Sequence, residues 1–124
     1  MGLVIHKLWE KHIGRITRCS NYYIDTLLVF RKMKILIMIV YILPNNKETK
    51  KLLQQQIIRK IKESERKNIR VIVIGNFNDI CSRVLDQSNI ESKRTRTLLI
   101  LAWLKSSSYE DIYRKVYPYK KEYT

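Results

Sequence analysis

The residues best suited to chemistry follow a run of β-branched side chains near the middle of the chain. The run Val71–Ile74 leads directly into Gly75, and Asn76 and Asn78 come next, on either side of a phenylalanine. A buried strand that ends in glycine and then presents small polar side chains is a common place for the functional groups of α/β proteins. An amide can accept a hydrogen bond through its oxygen, but it takes up no proton at any useful pH. The pattern therefore predicts a polar site at a strand end, with Asn76 limiting any general-base chemistry.

Hydrophobic periodicity predicts the elements that must position these residues. The stretch from Lys34 to Ile42 is apolar on both faces, which is typical of a central strand. From Lys47 to Lys67, leucines and isoleucines recur every three to five residues between charged ones, which predicts an amphipathic helix. The order strand, helix, strand is a crossover unit, in which the two strands are adjacent or lie in different sheets. The predicted strands are Gly2–Lys7, Tyr22–Phe30, Lys34–Ile42 and a strand beginning at Arg70.

The rest of the chain predicts helices and loops. Cys81 to Ser92 is polar and predicts a loop, and Thr95 to Leu104 is apolar enough to predict a largely buried helix. A further helical turn is expected between Glu110 and Val116. With 124 residues and no repeats or flexible linker, the chain is expected to form one domain at most.

The charge of the chain favours polyanionic partners. It carries 25 Lys and Arg residues against 11 Asp and Glu residues, a formal net charge of +14. Such a surplus points to nucleic acid first. The alternative is that the abundance of Ile, Lys, Tyr and Asn reflects mutation pressure in an A/T-rich gene. The charges are also spread along the chain instead of forming one patch, which weakens the argument for nucleic acid.

Composition argues against several other classes of protein. The longest uncharged apolar run, Ile35–Leu43, is far shorter than the roughly 20 residues of a membrane helix, so no membrane partner is expected. The N-terminus has no signal-peptide pattern, which favours an intracellular protein, nuclear or cytoplasmic. The two cysteines are far apart in the sequence, which fits reduced thiols better than a disulfide framework. Neither they nor His6 and His12 have zinc-ligand spacing, so no metal site is predicted from them.

Three segments together resemble the endonuclease/exonuclease/phosphatase superfamily, the metal-dependent phosphodiesterases that include abasic-site endonucleases and the endonuclease domains of LINE-type retrotransposons. Tyr41–Asn45 is similar to the family's strand end with tyrosine, proline and asparagine. Val71–Asn78 is similar to its hydrophobic strand followed by Gly-Asp-Phe-Asn. Leu98–Thr124 is similar to the helix, Asp-x-x-Arg turn and Tyr-Thr strand entry that follow. The order and separations agree, so the resemblance covers nearly the whole chain.

The resemblance implies a fold and a class of activity. The expected fold is a partial four-layer α/β sandwich, with two mixed β-sheets flanked by helices. Residues 1–124 would form a single partial domain, an interior fragment truncated at both ends. The implied activity is Mg²⁺-dependent cleavage of phosphodiesters in DNA, which makes DNA the expected partner and Mg²⁺ the family's cofactor.

The resemblance also assigns roles to individual residues. Asn78 matches the phosphate-binding amide, and Tyr41 matches a tyrosine aimed at the phosphate, although it could equally be a strand-end aromatic in the core. Asn76 stands where the family has the Asp that orients or deprotonates the attacking water; the alternative is a polar turn residue with no role. Asp79 is a less favoured substitute base. Asp111 and Arg114 match positions that stabilise the fold.

The family's metal-binding Glu and its terminal Asp-His pair have no counterpart in this sequence. With Asn76 in place of the Asp, the resemblance implies a weakly active or inactive site that does not bind Mg²⁺ competently. Two alternatives remain open, a non-catalytic nucleic-acid-binding remnant that uses the basic surface and an interaction module with no nucleic-acid role.

Overall fold

The computed structural model of the chain describes residues 2–19, 21–42, 47–78 and 99–120. The chain divides into two units, Met1–Asn78 and Asp79–Thr124. The first unit contains a four-stranded sheet and a long helix, and the described part of the second, residues 99–120, contains two short helices. The protein is therefore an α/β protein, as the sequence predicts.

The elements of the first unit that form the sheet and its helix are β1 Ile13–Cys19, β2 Tyr23–Val29, β3 Lys34–Tyr41, α1 Lys47–Arg66 and β4 Arg70–Asn76. The sheet is mixed and has the order β1-β2-β3-β4. The strands β1 and β2, and likewise β2 and β3, pair antiparallel, whereas β3 and β4 pair parallel. The helix α1 makes the crossover between the parallel pair, so the two strands whose relation the sequence leaves open are neighbours.

The helix α1 covers one face of the sheet. Its buried positions include Leu53, Ile57 and Ile61, which are spaced by four residues and form one apolar stripe. On β3, alternate residues are buried, as expected for side chains on one face of a strand. Asp25 lies opposite Met38, on the same face of the sheet, and its carboxylate is 3.5 Å from Lys60 of α1. This ion pair identifies the face on which α1 packs.

The predictions for β2, β3, α1 and β4 are confirmed to within one or two residues, including the central position of β3. The predicted strand Gly2–Lys7 is wrong, because residues 2–6 have no regular structure and Lys7–His12 form a 3₁₀ helix. The outer partner of β2 is Ile13–Cys19 instead, which precedes β2 in the chain and is joined to it by a short connection. A β-bulge lies between Ile13 and Arg15. All strands of the described part belong to one sheet, so the second sheet of the expected sandwich is not among the described residues.

Two short helices lie in the part of the second unit that the structure describes. The helix α2 spans Leu99–Ser106 and is followed by Ser108 at a positive φ of 64°, a conformation often found just beyond a helix end. Its predicted range began at Thr95, and residues 95–98 lie outside the described part. The helix α3 spans Ile112–Val116, and its N-cap residue is Asp111, whose side chain accepts a hydrogen bond from the Arg114 N–H. The expected helical turn is confirmed. No helix among the described residues is long and apolar enough to cross a membrane.

Candidate functional site

The residues that the resemblance selects come together at the carboxyl ends of β3 and β4. Tyr41 and Asn76 are the last register pair of these two parallel strands, and Asn78 follows two residues later. Tyr41 is 37% exposed, so it is not the fully buried core aromatic of the alternative interpretation. Together these three residues form what is called here the strand-end site.

Gly75 brings β3 and β4 into close contact beside this site. Its φ is +156°, a value that residues with a side chain rarely adopt. A Cβ built on Gly75 would lie 1.9 Å from the carbonyl oxygen of Val40 on β3. No side chain fits in that space, so glycine is required by the close approach of the two backbones.

Asn78 connects the two strand ends through its side chain. Its Nδ2 donates a hydrogen bond to the carbonyl oxygen of Ile42 at 2.5 Å, while the N–H of Ile42 donates to the carbonyl oxygen of Asn76 at 2.9 Å. Asn78 has a positive φ of 46°, which asparagine tolerates better than most residues. These bonds fix the position of the Asn78 amide relative to both strands.

Asn76 forms a local turn. Its Oδ1 accepts a hydrogen bond from the backbone N–H of Asn78 at 2.8 Å, the pattern of an Asx turn. Since the oxygen is used in this way, the group that Asn76 offers to solvent is its NH₂, a hydrogen-bond donor. The structural role of Asn76 is therefore real, and a role in ligand binding through its NH₂ is compatible with it.

Each side chain of the strand-end site has a donor group that it can offer to a ligand. Asn76 offers its NH₂, Asn78 offers the second N–H of Nδ2, and Tyr41 offers a phenolic O–H. Such a set suits the oxygens of a phosphate and does not suit Mg²⁺, which prefers carboxylates and waters. The described part of the chain contains no group of three or more His, Cys, Asp or Glu side chains that could hold a metal ion. The residues at this site thus do not fit the metal that the resemblance implies.

One other element lies near the carboxyl ends of β3 and β4. The helix α1 begins at Lys47, only a short connection after Ile42, so its N-terminal turn and that lysine belong to the same end of the sheet. Asp79, considered as a substitute base, lies outside the described residues.

A buried ionic cluster lies under α1, and little in the sequence pattern predicts it. Asp25 is fully buried, and its carboxylate is 3.5 Å from Lys60 and 3.8 Å from Arg15. Nearby, burial is the main cause that raises the pKa of the Tyr23 hydroxyl, and a hydrogen bond with the Cys19 thiol adds to it. The only sequence signal was a charged residue at the third position of an otherwise apolar strand.

Sequence reasoning also missed an aromatic and basic cluster at the other end of the sheet. The ring of Phe30 contacts Trp9 edge-on, with centroids 5.5 Å apart, and lies 4.5 Å from the ring of His12. These contacts join the 3₁₀ helix to the turn between β2 and β3. The available signal was the basic tetrapeptide after Phe30. The exposed side chains of this region, called here the hairpin surface, are Lys7, Trp9, Lys11, Arg31, Lys32 and Lys34.

Comparison with known proteins adds no relative. Neither the models of known protein families nor the curated proteins give a match to this sequence. The resemblance to the endonuclease/exonuclease/phosphatase superfamily therefore rests on the residue patterns and spacing described above.

Proposed function

We propose that this chain is a degenerate phosphodiesterase of the endonuclease type, which binds a nucleic-acid phosphate at the strand-end site and hydrolyses it weakly or not at all. The observation that carries the proposal is the hydrogen bond from the Asn78 N–H to Asn76 Oδ1. It turns the amide so that donors, and no proton acceptor of useful basicity, face a ligand.

Phosphate binding at this site follows from the direction of its hydrogen bonds. A phosphodiester presents only acceptors to a protein, and Tyr41, Asn76 and Asn78 each supply a donor group, two of them amide N–H groups and one a phenolic O–H. The net charge of +14 raises the local concentration of any polyanion. The site therefore has the groups that binding of a nucleic-acid backbone requires.

Hydrolysis is different, because it needs a group that activates water. A general base contributes about 10²- to 10⁴-fold to the rate of such reactions. The amide of Asn76 cannot act as that base, and the described donors do not favour a metal that would lower the pKa of water. We therefore expect cleavage to be slower by at least about that factor than in an enzyme with a carboxylate at this position.

The test uses the full chain and the exchange Asn76→Asp. An aspartate oxygen can accept the same hydrogen bond from the Asn78 N–H, so the turn should be preserved. The added charge should weaken binding of a labelled DNA duplex without divalent cations by roughly fivefold, because a charge pair about 4 Å apart in water-like surroundings contributes about 1 kcal/mol. Fluorescence anisotropy measures the affinity.

The matched control is Gln55→Glu, which makes the same atomic exchange at an exposed position of α1. It should change the affinity for the duplex by less than about twofold, since distant surface charges are screened. Equal losses for the two variants would contradict a phosphate at the strand-end site.

Activity is measured separately as nicking of supercoiled plasmid with Mg²⁺. The wild-type chain should give nicked product at or barely above the background rate. Rapid nicking that Tyr41→Phe abolishes would show a working enzyme and would contradict the degenerate assignment.

A second candidate is nucleic-acid binding with no chemistry at all, which the net charge of +14 favours. It predicts a steep fall of affinity with salt, because counterions are released on binding. It also predicts that Asn76→Asp changes the affinity for the duplex no more than Gln55→Glu does.

A further inference from the structure

The hairpin surface presents an aromatic ring in a fixed position. Trp9 is 46% exposed, and its ring contacts that of Phe30 with ring planes at 88°. In a 3₁₀ helix of about three residues per turn, Trp9 and His12 lie on one face, and both contact Phe30. His12 is held in turn by a hydrogen bond from Nδ1 to the carbonyl oxygen of Val29 at 3.1 Å.

Cations lie in both of the segments that meet at this ring. The 3₁₀ helix contributes Lys7 and Lys11, and the turn that begins at Phe30 contributes Arg31, Lys32 and Lys34, all exposed. The turn is closed by a hydrogen bond from the Phe30 N–H to the Met33 carbonyl oxygen at 2.8 Å. None of the five cations forms an ion pair with a described residue, and Glu10 is the one carboxylate in the two segments.

We infer that the hairpin surface is a binding site for single-stranded nucleic acid, separate from the strand-end site. A base stacks on the exposed face of the Trp9 indole, and the neighbouring cations contact the phosphates on either side of it. Stacking on an aromatic side chain needs an unpaired base whose face is free, which a duplex does not offer. The charge complementarity selects a polyanion, and the indole selects one that carries bases.

The site is remote from the strand-end site along the sheet. The turn precedes the first residue of β3, and Tyr41 is its last. With eight residues in β3 and about 3.3 Å per residue, the two ends are roughly 23 Å apart. Variants of one surface should therefore leave the other intact, which separates this inference from the proposed function.

The experiment measures binding of a short oligothymidylate and of inorganic polyphosphate, a polyanion without bases, to the full chain. In a Trp103→Phe background Trp9 is the only tryptophan, because the chain has two, and stacking should quench its fluorescence. Trp9→Leu, which keeps an apolar side chain against Phe30, should weaken oligothymidylate binding about tenfold. The same variant should leave polyphosphate binding unchanged.

The charged part of the surface is tested by the double variant Arg31→Ala/Lys32→Ala. It should weaken both ligands and lower the salt slope of oligothymidylate binding by about 1.4, since each phosphate contact on a single strand contributes about 0.7. The control Lys51→Ala/Lys105→Ala removes two exposed lysines elsewhere and should keep the wild-type slope. Circular dichroism of each variant checks that it is folded.

Each possible outcome either supports or overturns a binding site at the hairpin surface. Quenching of Trp9 by oligothymidylate together with the loss in Trp9→Leu supports the site, and an oligouridylate that behaves in the same way supports it equally. Equal oligothymidylate affinity in Trp9→Leu and wild type, or no quenching at saturation, overturns it. Binding of polyphosphate with the same affinity and the same variant profile as oligothymidylate also overturns it, because the surface would then attract any polyanion.

Discussion

The two ends of the four-stranded sheet differ in what holds them together and in what they offer to a ligand. At the strand-end site, backbone contacts and amide hydrogen bonds fix the geometry, with Gly75 against Val40 and Asn78 bonded to Ile42. At the hairpin surface, ring contacts among Trp9, His12 and Phe30 do so. The first end presents uncharged donors and the second presents an indole and cations. Accurate positioning and strong electrostatics thus lie at opposite ends of one sheet.

This difference bears on how an enzyme-like site can lose function and keep its shape. The strand-end site owes its shape to the backbone, so it is insensitive to whether residue 76 carries a charge. The hairpin surface owes its properties to side chains that make few backbone bonds. A binding role at that surface can therefore be gained or lost without a change in the sheet.

The largest expected effect tests whether backbone packing holds the strand-end site. Gly75→Ala places a Cβ 1.9 Å from the Val40 carbonyl oxygen at a φ of +156°. We expect a loss of about 4 kcal/mol in the free energy of unfolding, from steric overlap and backbone strain together. Urea denaturation measures the loss. Gly2→Ala is the control, because nothing lies within 4 Å of its added Cβ; similar stabilities for the two variants would break the comparison.

A smaller effect is expected at the hairpin surface. Phe30→Leu keeps an apolar side chain but removes the ring contacts with Trp9 and His12, each of which contributes about 0.5–1.5 kcal/mol beyond burial. We expect a loss of about 1–2 kcal/mol, concentrated in the 3₁₀ helix. Hydrogen exchange of the Trp9 amide, bonded to the His6 carbonyl oxygen at 2.9 Å, should speed up. The Ile42 amide should keep its protection, and faster exchange at both amides would mean that the two ends are coupled.

The smallest effect appears only in alkaline solution. Burial raises the pKa of Tyr23 above its ordinary value of 10.0, so the folded state holds this proton more tightly than the unfolded state. The stabilisation is complete below about pH 10 and is lost as pH rises from there towards the raised pKa. When the pH is raised from 9 to 11, the Tm of Tyr23→Phe should therefore fall by about 4 °C less than the Tm of wild type. This difference corresponds to roughly 1 kcal/mol in the free energy of unfolding. Parallel Tm curves for the two proteins would show that Tyr23 does not contribute.

Much of the sheet could be predicted from the sequence because its strands are rich in β-branched residues. β2, β3 and β4 have this composition, and α1 has a clear helical period, so local preference and final structure agree. β1 does not: Gly14 and Arg15 interrupt it, and its burial is low because it is an edge strand. The short apolar run after Gly2 is a better strand by composition, but the connection between β1 and β2 is much shorter in sequence, so Ile13–Cys19 reaches the sheet at a lower entropic cost.

The site was predictable in part. The strand pattern predicts the polar residues after Gly75 and their position at the end of a strand. The register that places Tyr41 beside Asn76 depends on which strands are adjacent, and a crossover unit alone does not decide this. The hairpin surface could not be derived, because Trp9 and Phe30 are 21 residues apart and meet only through the path of β1.

The turn at Asn76 also has a consequence for the history of such a gene. Asparagine and aspartate codons differ by a single base, and both side chains can accept the hydrogen bond that the Asn78 N–H donates. A substitution in either direction can keep this hydrogen bond, so selection for the turn would not resist it. Position 76 is free to drift between a form suited to cleavage and one suited to binding, whereas Gly75 beside it is not.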